Sequence, residues 1–160
     1  MYAQQREMGM AAAATLSGCM IQHFQPKYLI MVGIAAGIGD EKNIGDIIVA
    51  TEVWNYSNGK YITGEKGEVV FSPDPKHIIL EPSIESVLKR NYSTVLYEIK
   101  NRWRAQSIPH ELKLVFGPLA CGTAGVGNSA IVDNMIKKHS RKTVGLDMES
   151  YGVFLRLIME

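Results

Sequence analysis

Apolar positions along the chain follow two rhythms. From Met8 to Phe24 they recur at helical spacing, through Met8, Ala11, Ala12, Leu16, Cys19, Met20 and then His23 or Phe24. That spacing predicts a helix whose face is crowded with Ala and Gly and suited to close packing on a sheet. Gln25-Pro26 ends it, because proline pushes the preceding residue out of helical backbone. Tyr28-Leu29-Ile30-Met31-Val32 is continuously apolar, the pattern of a short buried strand over Lys27 to Val32. Gly33 to Gly39 is a glycine- and alanine-rich turn. Asn43-Ile44-Gly45-Asp46 reads as a turn feeding a strand from Ile47 to Tyr56. Ser57-Asn58-Gly59-Lys60 predicts a hairpin, since Asn-Gly accepts positive φ. Tyr61 to Phe71 reads as extended and partly irregular, and Pro73, Pro75 and Pro82 punctuate a loop. A long helix from Ser83 through Ala105 would turn Ile84, Val87, Leu88, Val95, Leu96 and Ile99 inward. Leu112 to Cys121 is a strand, Gly122 to Asn128 a second small-residue turn, Ser129 to Arg141 a helix and Thr143 to Met148 a strand. A further helix starts at Ser150. Strands alternating with helices predict an α/β fold with a mostly parallel core.

Length and composition narrow the class. The 160 residues predict a single domain, with 46% hydrophobic and 21% charged residues, ordinary for a globular chain with a real core. A formal net charge of +1 gives no global field directed at nucleic acid or a membrane surface. Cys19 and Cys121 lie far apart with no CxxC spacing, which argues against a disulfide framework or zinc site and for reduced thiols in a cytoplasmic protein. His23, His77, His110 and His139 are scattered, without metal-ligand spacing. No signal-peptide pattern or bilayer-length apolar run occurs in these residues. Trp54 and Trp103 read as packing residues, and Lys89, Arg90, Lys100, Arg102 and Arg104 as the solvated face of the long helix.

Candidate chemistry gathers at three strand ends. Gly33-Ile34-Ala35-Ala36-Gly37 leaves one strand; it serves either for close backbone approach to a ligand or as a packing turn. Its spacing is neither a dinucleotide fingerprint nor a P-loop. Gly122-Thr123-Ala124-Gly125-Val126 leaves another strand with the same two readings. Asp147-Met148-Glu149 closes a third. Carboxylates at the C-terminal edge of an open α/β sheet sit where small ligands bind. A carboxylate there can accept two sugar hydroxyls while a methionine packs on the sugar's apolar side. Glu149, directly after an apolar strand, has to be paired, solvated or functional. Cys121 has no base beside it in the sequence to activate it.

Three segments in order, Val32-Gly33-Ile34-Ala35-Ala36-Gly37-Ile38, Ile44-Gly45-Asp46-Ile47-Ile48-Val49-Ala50 and Gly145-Leu146-Asp147-Met148-Glu149-Ser150, resemble the nucleoside phosphorylase/nucleosidase superfamily. Met8-Gly9-Met10-Ala11-Ala12 resembles that family's first core helix. The resemblance implies a three-layer α/β/α fold with a mixed central sheet. It also implies cleavage of a nucleoside's N-glycosidic bond, with no cofactor beyond phosphate as a disfavoured co-substrate. It makes Glu149 the catalytic holder of the ribose 2′-hydroxyl, with Asp147 and Met148 beside the sugar. Thr123, Ala124, Gly125 and Val126 would lie along the base, and Ile34, Ala35, Ala36 and Gly37 between base and sugar.

The chain also departs from the family pattern. Family phosphorylases carry a phosphate-binding arginine where this chain has Met31, and many members carry serine where it has Ile34. Both changes lean towards hydrolysis or no chemistry. Gly125 offers no stacking surface where adenine-specific nucleosidases have an aromatic residue. The family's general acid, an aspartate on the strand after the helix at Ser150, and its first two strands have no counterpart. Residues 1–160 are thus expected to form one incomplete domain, truncated at both ends, that is either a homo-oligomer or completed by additional polypeptide. Two functions stay open: a nucleosidase or phosphorylase, and a non-catalytic nucleoside-binding or sensor module of the same fold.

Overall fold

The computed structural model describes residues 1–39, 42–90, 92–104, 110–123, 136 and 138–158. Its five-stranded sheet has the order β1-β7-β6-β2-β5, from β1 (Ala36–Gly37), β2 (Ile47–Asn55), β5 (His77–Ile79), β6 (Leu114–Cys121) and β7 (Gly145–Asp147). β2, β6 and β7 run parallel, while β1 and β5 add antiparallel edges. The sheet is therefore mixed around a parallel core. β3 (Gly59–Thr63) and β4 (Val69–Pro73) form a separate antiparallel pair. The described helices are α1 (Met10–Phe24), α2 (Pro82–Leu88), α3 (Tyr92–Arg102) and α4 (Ser150–Leu157).

Alternation along the strands divides the core between the two faces. On one, Val53, Ile78, Leu119, Cys121 and Tyr151 pack together, joined by Met10 of α1 and Phe154 of α4. On the other, Trp54, Ala120 and Leu146 pack with Ile38, Tyr56 and Ile136. Tyr92 of α3 reaches Phe116 of β6 with ring centroids 6.1 Å apart. Helical segments thus address both faces. A bulge in β2 leaves Thr51 with no partner in β6, since Ala50 pairs Gly117 while Glu52 pairs Pro118. The extra residue reverses the alternation, so Ile48 and Ala50 before it share a face with Val53 after it. Trp54, fully buried, donates from its indole N–H to Thr143 Oγ1 at 3.1 Å.

Four expectations are corrected. Lys27 to Val32 is not a strand; it is an irregular, largely exposed segment. β1 runs antiparallel to the three-residue β7, with Ala36 opposite Leu146, so the chain upstream of Ala36 runs off the end of β7 and has no ladder partner. The buried side of α1 is Ala13, Ser17 and Gly18, while Met8, Cys19 and Phe24 are exposed. The helix expected from Ser83 is broken into α2 and α3. Leu96 is buried, but Val87, Leu88, Val95 and Ile99 are exposed, so no continuous apolar seam holds a single rod. The Asn58-Gly59 turn is not a hairpin. It passes the chain from β2 to β3, and the hairpin closes instead at 64–68, where the Gly64 N–H donates to Glu68 O at 2.7 Å. Trp103 is half exposed. The helix expected at 129–141 falls largely outside the described residues.

Candidate functional site at the strand ends

The parallel strands finish level. Asn55 of β2 pairs Cys121 of β6, which pairs Asp147 of β7. Everything that follows these residues is therefore delivered to one edge. Behind that edge is a buried polar corner. Asp147 is buried, and its carboxylate accepts from the Ser150 backbone N–H at 2.8 Å and from the Ser150 hydroxyl at 2.7 Å. Burial pushes the Asp147 carboxyl above its ordinary value, and the bonds from Ser150 pull in the opposite direction. Burial, then the neighbouring Asp147 charge, pushes the Cys121 thiol up to about 12. The Tyr56 phenol is raised as well, first by burial and then by Cys121 and Asp147. Asp147 thus ties down the first turn of α4, immediately after Glu149.

Glu149 precedes that turn and is half buried. Its carboxylate oxygen Oε1 accepts the backbone N–H of Gly9 at 2.7 Å. Gly9 is the N-cap of α1, with φ of 107°, a backbone that side chains disfavour. An anion placed on the free N–H groups of a helix start is favoured by both hydrogen bonding and the helix dipole. The contact requires α1 and α4 to approach closely. Gly152 makes this possible, since a Cβ there would overlap the Met10 carbonyl oxygen. Ionised, a carboxylate offers about four acceptor positions. Gly9 occupies one, and the rest remain for hydroxyl donors.

The other expected site residues are only partly gathered. Ala36 and Gly37 lie beside Leu146 and Gly145, and the antiparallel register carries Ala35 and Ile34 towards the Asp147–Glu149 edge. Both are exposed there. Thr123 follows Gly122, whose N–H donates to Asp147 O at 3.2 Å, and the Thr123 N–H reaches Ser57 Oγ at 3.4 Å. Met148 is half buried next to Glu149. Ala124, Gly125 and Val126 lie outside the described residues. A cleft of about 1010 Å³ opens beside this edge, between the starts of α1 and α4 and the β3–β4 pair.

Two participants escaped the sequence reading. Gly9 works through its main chain, and its one signal was its place at the head of the first helix. Tyr56 packs over Gly122, where a Cβ would overlap its ring. Its signal was a position at the end of β2, level with the carboxylate strand. Among the described residues no group of three or more His, Cys, Asp and Glu could hold a metal ion, and no helix is long and apolar enough to cross a membrane.

The family model described as Phosphorylase superfamily matches residues 1–155. The uncharacterized protein y4jS of Sinorhizobium fredii is 31% identical over 152 residues, covering 92% of this chain and 36% of that protein. The ATP nucleosidase Cap17 of Escherichia coli is 24% identical over 159 residues, covering 91% of this chain and 30% of Cap17. A 5′-methylthioadenosine/S-adenosylhomocysteine nucleosidase from Neisseria meningitidis, solved with methylthio-immucillin-A, superposes with a TM-score of 0.69 at 19% identity. That match covers 95% of this chain and 59% of the nucleosidase. The chain thus spans about a third of the curated relatives and under two thirds of the solved structure.

Proposed function

Because the chain belongs to the phosphorylase superfamily, we propose that it serves cleavage of the N-glycosidic bond of a nucleoside, with Glu149 as the residue that holds the ribose. One observation carries this reading: the Glu149 carboxylate is fixed by Gly9 N–H at 2.7 Å, at the edge where β2, β6 and β7 end. Breaking the bond to the base builds positive charge on the sugar ring. A carboxylate already locked in place interacts more strongly with that charge than with the neutral ground state, and this difference is what lowers a barrier. In this reading Met148 packs on the sugar and Asp147 lies beside it. Ala35, Ala36 and Gly37, with Ile34, line the passage to the base, and Thr123 to Val126 run along the base.

Met31 and Ile34 offer neither charge nor hydroxyl where phosphate would be gripped, which supports water as the acceptor. The names of the relatives, acting on methylthioadenosine, S-adenosylhomocysteine or ATP, support an adenosine-type substrate. The same reading has the protein act in the cytoplasm, where free Cys19 and Cys121 stay reduced, and as a homo-oligomer or with further polypeptide.

A base-release assay on adenosine, inosine, uridine and methylthioadenosine, with and without phosphate, tests the proposal. Release independent of phosphate is expected. Glu149→Ala should slow it by about 10²–10³-fold, the scale for removing one transition-state stabiliser. Glu149→Gln keeps an acceptor for Gly9 and removes the charge, so it should lose activity while melting like the parent. Undiminished release by both variants would overturn the role of Glu149.

A further inference from the structure

Asp147 pairs Cys121 in the ladder between β6 and β7, so both side chains leave the sheet on one face, the face that α4 covers. Both oxygens of the Asp147 carboxylate are engaged there. Oδ2 accepts the Ser150 backbone N–H and Oδ1 accepts the Ser150 hydroxyl, and the Cys121 thiol bonds the same carboxylate. Asp147 and Ser150 are only 8% and 3% exposed, so little of this acid is open to a hydroxyl arriving from solvent. Helix α4 meanwhile satisfies its first N–H groups without the Glu149 carboxylate. The Ser150 N–H goes to Asp147, the Tyr151 N–H to the Cys121 sulfur, and the Gly152 N–H to the Glu149 carbonyl at 2.9 Å. Glu149 stands at the N-cap, where a side chain ordinarily accepts one of these donors, yet its side chain makes no such bond. Asp147 takes that task from two positions upstream. The Glu149 carboxylate is thereby left to Gly9 and, on its remaining acceptor positions, to a ligand.

We propose that Asp147 and Ser150 are positioning residues for ribose recognition: they fix the start of α4 so that Glu149 presents its carboxylate to the sugar, while Asp147 itself makes no sugar contact. The inference rests on the ribose role of Glu149 given above. The two residues act in series. Asp147 holds Ser150 by two bonds, and Ser150 follows Glu149 directly in the chain. Without the pair, the Glu149 backbone is free to turn and its carboxylate is held by Gly9 alone. The ligand group that senses this is the 2′-hydroxyl, the one Glu149 accepts from. The positioning therefore shows as a preference for a ribonucleoside over its 2′-deoxy counterpart.

Calorimetric titration with adenosine and 2′-deoxyadenosine measures that preference as a ratio of affinities, which a loss of folded protein does not move. The parent should prefer adenosine by at least about tenfold, the scale of one hydrogen bond to a charged group, and Glu149→Ala should abolish the preference. Ser150→Ala and Asp147→Ala should each cut it by at least about threefold. Asp147→Asn keeps an acceptor for the Ser150 N–H and should recover most of it. With Glu149 already replaced by alanine, neither Ser150→Ala nor Asp147→Ala should weaken adenosine binding further, because the pair acts through Glu149. A preference that survives both Ser150→Ala and Asp147→Ala overturns the positioning role. So does a loss on Asp147→Ala that persists in full without Glu149, which would make Asp147 a ligand of the sugar. A parent chain that does not distinguish the two nucleosides overturns the ribose reading of Glu149 itself, and the positioning role with it.

Discussion

Cys121 and Cys19 are the same residue type in opposite surroundings. Cys121 is completely buried at the end of β6, against Asp147 and Ser150, and its thiol is pushed up to about 12. Thiolate is the reactive form, and a thiol pushed up this far stays protonated at pH 8. Cys19 lies exposed on α1. Iodoacetamide at pH 8 should therefore label Cys19 in the native protein and reach Cys121 only in denaturant, read by mass spectrometry of the two peptides. Equal labelling rates would mean that the corner holding Asp147 is open. At this scale the sequence was informative wherever a side chain carries the chemistry. Glu149 stood out because a carboxylate after an apolar strand demands an explanation. Gly9 did not, since a main-chain N–H acting 140 positions away leaves no mark on residue type. Asp147 was legible as an acid at the C-terminal edge of a strand, but its burial and its commitment to Ser150 depend on the turn geometry that follows it.

Between elements, the decisive contact is the approach of α4 to α1. Helical periodicity in α1 located the helix and its end at Gln25, whose left-handed φ of 43° and bond to Ile21 O close it. It chose the wrong face, because periodicity counts hydrophobicity while this interface selects small size: Ala13, Ser17 and Gly18 are buried and Met8 is not. Gly152 meets the Met10 main chain, which cannot rotate away as a side chain could. Gly152→Ala should therefore lower the unfolding free energy by about 1–3 kcal/mol, the usual cost of overpacking a close contact. Denaturant melts would show it as an earlier midpoint with an unchanged slope. Since Gly9 adjoins Met10, the same variant should weaken nucleoside binding more than its loss of folded protein explains. A melt matching the parent would show that the helices can separate freely, and with them Glu149 and its anchor. The break between α2 and α3 escaped the sequence for a related reason. Apolar residues at the right spacing are no seam when nothing packs against them, and Val87 and Val95 are exposed.

Across the whole molecule, the parallel core was legible because strands alternate with helices along the chain. The antiparallel edge β1 was not. Its two residues pair according to where the chain returns to the sheet, which no local pattern encodes. The displaced segment has a consequence for assembly. Ile30, Val32 and Ile34 are 81%, 88% and 96% exposed, with Tyr28 and Met31 between and beside them. A run of this kind is the sort of apolar surface that folded monomers seldom leave in water. Burying three such side chains yields about 5–9 kcal/mol. That is comparable to the roughly 4–15 kcal/mol lost in fixing two molecules together. The neighbouring side chains must therefore join for a complex to form, and its population must follow concentration. Sedimentation velocity should show the average mass rising across the micromolar range. Val32→Lys with Ile34→Lys should return it to the monomer without lowering the melting temperature, because neither side chain is in the core. A parent chain that stays monomeric throughout that range would rule out self-association through this segment and leave further polypeptide as its only cover.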